Sequence, residues 1–362
     1  MWQVNALTQK LGIHYPIIQG PFGGGLSTIE LATIISNAGG LGSYGAHILS
    51  PDNIRLLVQD IQSRTSKPFA VNLWVSDHDT GGLGMMREAF DTYVSYFQPY
   101  YEELDVDPPS FSEQYTEYYE EQVQALLDVA PPVFSFVYGI PSADILEACR
   151  RKNITTIGAA TTLDEALALE NAGIDIILAT GFEAGGHRVS FLDKPENSLF
   201  GTFALIPQIV DRVNVPVIAA GGIADARGVK AALALGAQGV QMGTAFLACD
   251  ESGTSDLHRD VLLSDASNKT VLSRAFTGRL ARFVPNHFIR EVENSPNLPL
   301  PFPIQNFFSS PLKKGASIAN NKAFASLYAG QGAPMLKHHK AINLFRSIID
   351  EMRTNQLTNQ HN

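Results

Sequence analysis

The sequence predicts an α/β fold: a (β/α)8 TIM barrel followed by a small, mostly helical C-terminal subdomain. Three observations carry this. Eight short, β-rich apolar runs recur within the first 250 of 362 residues. They lack a clean in–out alternation, as strands buried on both faces do. Segments with helical periodicity and recognisable start and stop signals lie between them. An open doubly wound sheet fits less well, because strand count and length both match a closed barrel.

In order, the strands are PIIQGPF (16–22), GLGSYGA (40–46), FAVNLWV (69–75), VFSFVYG (133–139), ITTIGAA (154–160), DIILATG (175–181), VPVIAAGG (215–222) and GVQMGT (239–244). The first intervening helix, STIELATIISNAGG, opens on Ser27 as N-cap and stops at glycine. The next has Ser50 as cap and Pro51 at its first position, where a missing N–H costs nothing. PSADILEACRRKN, TTLDEALALENAG and DARGVKAALALGA follow the same grammar. The third connection, residues 76–132, is oversized and reads as a decorated βα loop containing helices. These elements give a barrel over residues 1–250. Residues 251–362 then form the C-terminal cap, including the Pro-rich NSPNLPLPFPIQNFF. The amphipathic KHHKAINLFRSIIDEMRT is a candidate to pack back on the barrel.

Composition, with 45% hydrophobic and 17% charged residues, is that of a globular chain. The net charge of −10 is local: residues 76–130 hold thirteen acidic residues and one arginine, leaving about +2 elsewhere. This reads as a solvated, partly helical insertion and argues against nucleic acid as a partner. No run reaches the ~18–20 apolar residues of a membrane helix, and no secretory signal pattern opens the chain. Cys149 and Cys249 are expected as reduced thiols, so a cytoplasmic setting is expected. A metal site is not expected: the His338–His339 pair reads as solvated on the terminal helix. Monomer and homodimer both remain open.

Chemistry in such barrels sits at the C-terminal ends of the strands, with phosphate often held after strands seven and eight. Gly221 and Gly222, with Asp225 capping the next helix, and Gly243 with Thr244 offer backbone amides to an anion, or else only make tight turns. GPFGGG, residues 20–25, clears side chains beside Pro21 and Phe22, which suits a flat isoalloxazine. Asn72 inside an apolar strand needs a partner, either a neighbouring strand end or a flavin edge. His187, between Gly185–Gly186 and the rest of the sixth βα loop, can accept a proton from a carbon acid or hold an anion while protonated. Glu183 is a partner of the site or a plain loop carboxylate. His14, His47, His78, His258 and His287 read as structural. No G-x-G-x-x-G opens a helix after a strand, so a Rossmann dinucleotide site is unsupported.

PIIQGPFGGGLSTIELATIISNAGGLGSYGA, FAVNLWV, GFEAGGHRVSF and VPVIAAGGIADARGVKAALALGAQGVQMGTAFL together resemble the nitronate monooxygenase family, formerly 2-nitropropane dioxygenases. RAFTGRLARFVPNHF resembles its C-terminal region. The resemblance implies FMN, with contacts at Pro21, Phe22, Gly23, Asn72, Thr180, Gly185, Gly221, Gly222, Gln241, Met242, Gly243 and Thr244, and His187 as the active-site histidine. Phe22 and Thr180 depart from the family's usual Met and Gln. The implied reaction is oxidative denitrification of a small anionic nitronate, such as propionate 3-nitronate, with O2, giving a carbonyl compound plus nitrite or nitrate. Two relatives of the scaffold resemble it in the EAGGH loop: FMN-dependent NAD(P)H:quinone reductases and enoyl-acyl-carrier-protein reductases. The acidic insertion would repel an acidic carrier protein. A flavin-binding protein without turnover is the third alternative, and His187 argues against it.

Overall fold

The computed structural model describes residues 2–75, 84–113, 115 and 118–358, with side chains to residue 354. Eight parallel strands form the barrel: β1 (Ile17–Gln19), β2 (Gly42–Gly45), β3 (Phe69–Trp74), β4 (Val133–Val137), β5 (Thr155–Ala160), β6 (Ile176–Thr180) and, beyond the two-residue β7 (Gly186–His187), β8 (Val217–Ala220) and β9 (Gly239–Met242). Their order is β1-β9-β8-β6-β5-β4-β3-β2. A parallel bridge between Ile18 and Leu41 joins the two ends, which closes the (β/α)8 barrel. The strands are shorter than the apolar runs that predict them. PIIQGPF leaves the sheet after Gln19, and its last residues become loop at the active end of the barrel.

Inward residues such as Ile18, Ile157, Ile176 and Ile218 fill the barrel. Helix α1 (Ala6–Leu11) adds Leu7 and Leu11 to the same core. Asn5 donates to the Gln238 carbonyl at 2.7 Å, just before β9, so α1 stoppers the N-terminal mouth. Around the outside run α2 (Ile29–Asn37), α3 (Pro51–Arg64), α5 (Tyr119–Val129), α6 (Ala143–Arg151), α7 (Leu163–Asn171), α8 (Thr202–Val210) and α9 (Ala226–Ala234).

Ser50 with Pro51 and Asp225 cap their helices as the sequence predicts, and Ser142 and Thr162 cap α6 and α7. Helix α2 does not follow that reading. Its cap is Thr28, which accepts from Leu31 N at 3.0 Å, and not Ser27. The Ser27 hydroxyl instead accepts from Phe22 N at 2.9 Å and Gly45 N at 3.1 Å and donates to Phe22 O at 2.9 Å. Adjacent Ser and Thr offer the same capping chemistry. The glycine-rich loop after β1 needs a clasp, and Ser27 is the one that reaches it.

The C-terminal chain does two things. Helix α14 (Ala341–Thr358) packs against both α2 and α9, the position an eighth barrel helix would take, with Leu344, Phe345 and Ile348 in the barrel's outer core. His338 and His339 precede this helix instead of lying on it, and His338 Nε2 shares a 3.0 Å hydrogen bond with Ser347. Residues 256–318 supply α11 (Asp256–Leu262), α12 (His287–Asn294) and α13 (Ile304–Ile318). They also supply two strands absent from the sequence reading, β10 (Val271–Ser273) and β11 (Ala281–Phe283). These pair antiparallel, and β11 continues onto β7, so the subdomain is stitched to the sixth loop by main chain.

The insertion is more than a solvated arm. Its helix α4 (Arg87–Leu104) turns Phe90, Phe97 and Tyr101 into a second core with Phe276, Phe288 and Phe308. Tyr101 OH donates to the Phe308 carbonyl at 2.7 Å. The aromatic spacing in α4 is therefore a buried stripe, and its acidic residues occupy the other face. His78 and the start of the insertion lie outside the described residues. No described helix is long and apolar enough to cross a membrane.

Candidate active site

At the C-terminal ends of the barrel strands lies a cavity of about 1130 Å3. Its wall gathers Pro21, Phe22 and Gly23 from the loop after β1, Asn72 from β3, Thr180 from β6, Gly185 and His187 from the sixth loop, and Gly221, Gly222, Gln241, Gly243 and Thr244 from the last two strand ends. Met242 alone of the expected contacts is not in the wall. It is fully buried in the outer core, because strand alternation points Gln241 inward and Met242 outward. Its carbonyl accepts from Gly20 N at 2.9 Å and so helps to set the first loop.

The two glycine turns differ in kind. Gly221 and Gly222 have φ of 110° and 70°, and a Cβ on Gly221 would come within 2.8 Å of Thr202 Oγ1. Only glycine holds that backbone. Gly243 has φ of −96°, and its missing Cβ would meet no atom within 4 Å. It faces open cavity at the start of helix α10 (Thr244–Leu247), whose first turn carries no side-chain cap. The Thr244 hydroxyl accepts from Gly330 N at 2.9 Å. Gly332 approaches so closely that a Cβ there would lie 2.9 Å from the Gly222 carbonyl. The segment YAGQGAP, 328–334, thus backs the same corner. Its paired glycines were a usable signal that the strand pattern did not reach.

An anionic flat cofactor fits this donor set. Gly222 and Gly243 line one corner, where a backbone free of side chains lets an anion approach closely, and apolar residues including Ile157, Ala159 and Leu178 line part of the rest. Asn72 donates to Ser135 on the adjacent strand at 3.1 Å, so a neighbouring strand meets part of its hydrogen-bonding need. Glu183 is resolved as an anchor. It accepts from Thr202 N at 2.9 Å and Thr202 Oγ1 at 2.9 Å, placing a carboxylate at the N-terminus of α8. Thr202 in turn reaches the Gly221 carbonyl at 3.1 Å, coupling the sixth loop to the glycine turn.

Two buried arginines fix the loop that carries His187. Arg188 donates to the Thr180 carbonyl at 2.6 Å and the Thr161 carbonyl at 3.3 Å. Arg282, from β11, donates to the Phe182 carbonyl at 2.7 Å. Neither was singled out from sequence, since an arginine in a loop ordinarily reads as surface.

His187 itself is half-buried in the wall, with Nε2 2.9 Å from the Thr277 hydroxyl. Trp74 packs edge-on against it at 5.0 Å, and Tyr328 lies at 5.7 Å. Trp74 also stacks on His47 at 3.8 Å between centroids. Burial, and then the charges of Arg279, His47 and Lys313, hold the His187 imidazole well below its ordinary value. Burial and Arg279 push His47 down to about 3. Of the two roles left open by the sequence, this environment disfavours the protonated, anion-holding one and suits a neutral base. His47, which the sequence reads as structural, lines the cavity behind Trp74. Trp74 is missed by the sequence reading, although its place in FAVNLWV, two residues on from inward Asn72, carries the signal. Thr277, Tyr328 and Lys313 come from the distant C-terminal chain. Cys149 and Cys249 are free, buried thiols, and burial raises both. Among the described residues no cluster suited to a metal ion occurs.

The nitronate monooxygenase family model matches residues 4–351. A probable nitronate monooxygenase of Staphylococcus haemolyticus is 38% identical over 357 residues, covering 98% of each chain. The crystal structure of a nitroalkane oxidase from Streptomyces ansochromogenes superposes with a TM-score of 0.86 at 33% identity, covering 98% of this chain and 99% of that one. FabK from Thermotoga maritima gives 0.75 at 26% identity over 99% of both chains. A barrel with this cavity, matched to one family along nearly its whole length, makes the chain a member of the nitronate monooxygenase family and a flavin-dependent oxidoreductase.

Proposed function

We propose that the flavin is FMN and that the protein converts small anionic alkyl nitronates, such as propionate 3-nitronate, with O2 to carbonyl compounds plus nitrite or nitrate. The observation that carries this is the single cavity wall shared by the glycine turns at 221–222 and 243–244 and by His187. FMN, when bound, supplies the redox chemistry that passes substrate electrons to O2. The chain's own residues do the rest. The amides around Gly222 and Gly243 would hold the phosphate, and Pro21, Phe22 and Gly23 would flank the ring, with Asn72, Thr180, Gly185 and Gln241 nearby. A nitronate is already a carbanion equivalent, so it needs orientation more than covalent help. A neutral nitroalkane needs a base first, and His187 removes that proton while the surrounding rings exclude water.

The likeness to FabK supports a second reading, in which the same site takes hydride from NAD(P)H to reduce a quinone or an enoyl thioester. The experiment is aerobic incubation of the FMN-loaded protein with propionate 3-nitronate. Nitrite release with O2 uptake is expected. No O2 uptake with nitronate, alongside rapid flavin reduction by NADPH, would favour the reductase.

A further inference from the structure

We propose that Thr277 is the positioning residue of His187: its hydroxyl oxygen accepts the Nε2 proton, leaving Nδ1 as the atom that takes a proton from a neutral nitroalkane. This rests on the oxygenase reading above. Thr277 is buried, and its Oγ1 lies 2.9 Å from Nε2. The hydroxyl proton has its own acceptor, the Arg279 carbonyl at 3.3 Å, so the oxygen can turn a lone pair to the ring.

Main chain fixes the same contact. His187 pairs with Ala281 across the β7–β11 ladder, and Arg188 N donates to the Leu280 carbonyl at 2.8 Å. The turn at 277–280 and the histidine therefore cannot slide past one another. Trp74 packs edge-on at an interplanar angle of 72°, and Tyr328 lies at 44°. With the ring held at one nitrogen and walled by rings, its other nitrogen is aimed, which is the logic of a base oriented by a third group.

The nature of that third group matters. A carboxylate on Nε2 would stabilise the imidazolium and raise its pKa, whereas a hydroxyl adds no charge. The charged and titratable groups facing the ring are His47 behind Trp74, Arg279 from the turn, Lys313 from α13 and the Tyr328 phenol. None is an anion at neutral pH, because burial pushes Tyr328 up to about 12. The base therefore starts neutral. In the step, the substrate C–H bond breaks and its electron pair moves onto the nitro group. A nitronate forms, Nδ1 gains the proton, and Nε2–H stays on Thr277.

The test compares kcat/KM for nitroethane and for pre-formed ethylnitronate in flavin-loaded Thr277→Val and Thr277→Ser. In Thr277→Val the nitroethane-to-nitronate ratio should fall by about 10-fold or more, part of the ~10²–10⁴-fold that a positioned general base supplies. Thr277→Ser should restore it. Nitrogen-15 NMR of the wild-type holoenzyme should show His187 as the Nε2–H tautomer. An unchanged ratio in folded Thr277→Val, or an Nδ1–H tautomer in the wild type, overturns the assignment. Should wild-type protein fail to turn over ethylnitronate, the oxygenase reading falls, and the tautomer still decides the place of Thr277.

Discussion

His187→Asn is expected to lower kcat/KM for neutral nitroalkanes by about 10²–10⁴-fold, the usual worth of a positioned general base. Turnover of pre-formed nitronates should fall by several-fold at most. The split follows from the chemistry. A nitroalkane must lose a carbon-bound proton before it can be oxidised, while a nitronate has already lost it. Asparagine keeps a polar group opposite Thr277 without a basic nitrogen, so the wall of rings around it has no reason to collapse. Steady-state rates with nitroethane and ethylnitronate check this, and equal losses on both substrates would remove His187 from proton transfer.

The same residue sets a pH dependence. Burial and neighbouring positive charge depress its folded-state value well below 6.5. The neutral, active form therefore persists below pH 6.5, and the acid limb of kcat/KM for nitroethane should lie well under that pH. The linkage has the matching sign. A depressed histidine contributes stability above its unfolded-state value of about 6.5, and that contribution is lost as pH falls below it. His258, fully enclosed and lowered to about 4 chiefly by burial, adds to the same loss.

Gly243→Asp is expected to empty the protein of flavin while leaving it folded. The Cβ at this position meets nothing within 4 Å and φ is −96°, so aspartate fits the backbone without strain. Its carboxylate would project into the corner assigned to the phosphate. Two unit charges ~4 Å apart at an effective dielectric of about 20 repel by roughly 4 kcal/mol, so FMN affinity should drop by about 10³-fold. Gly221→Ala would be a poorer test, because φ of 110° and the 2.8 Å approach to Thr202 would strain the turn itself. Flavin content after purification, with circular dichroism as the folding control, checks the outcome. Full flavin occupancy in Gly243→Asp would move the phosphate elsewhere.

The barrel was legible because its signals are local. Apolar runs bounded by caps need no distant partner to be recognised, and Ser50 and Asp225 behave as read. Ser27 was misread because its partners, Phe22 and Gly45, become neighbours only when the first two strands pair. Met242 was assigned by resemblance, and strand alternation turns its side chain away. The corner proposed for the phosphate draws on glycines legible at two strand ends, but Gly330 and Gly332, which back it, come from far along the chain. The shell around His187 was mostly hidden for the same reason. Thr277, Tyr328 and Lys313 reach it through a subdomain whose strands are three residues each and whose core borrows aromatics from the insertion. Short strands and long-range pairings leave little periodic trace.

The most direct test is the visible spectrum of the FMN-loaded protein under argon during titration with propionate 3-nitronate. The flavin bands should bleach on addition of nitronate alone, with no pyridine nucleotide present, and return on admitting O2 as nitrite appears. Bands that stay unchanged with nitronate but bleach with NADPH would contradict nitronate oxidation at this site.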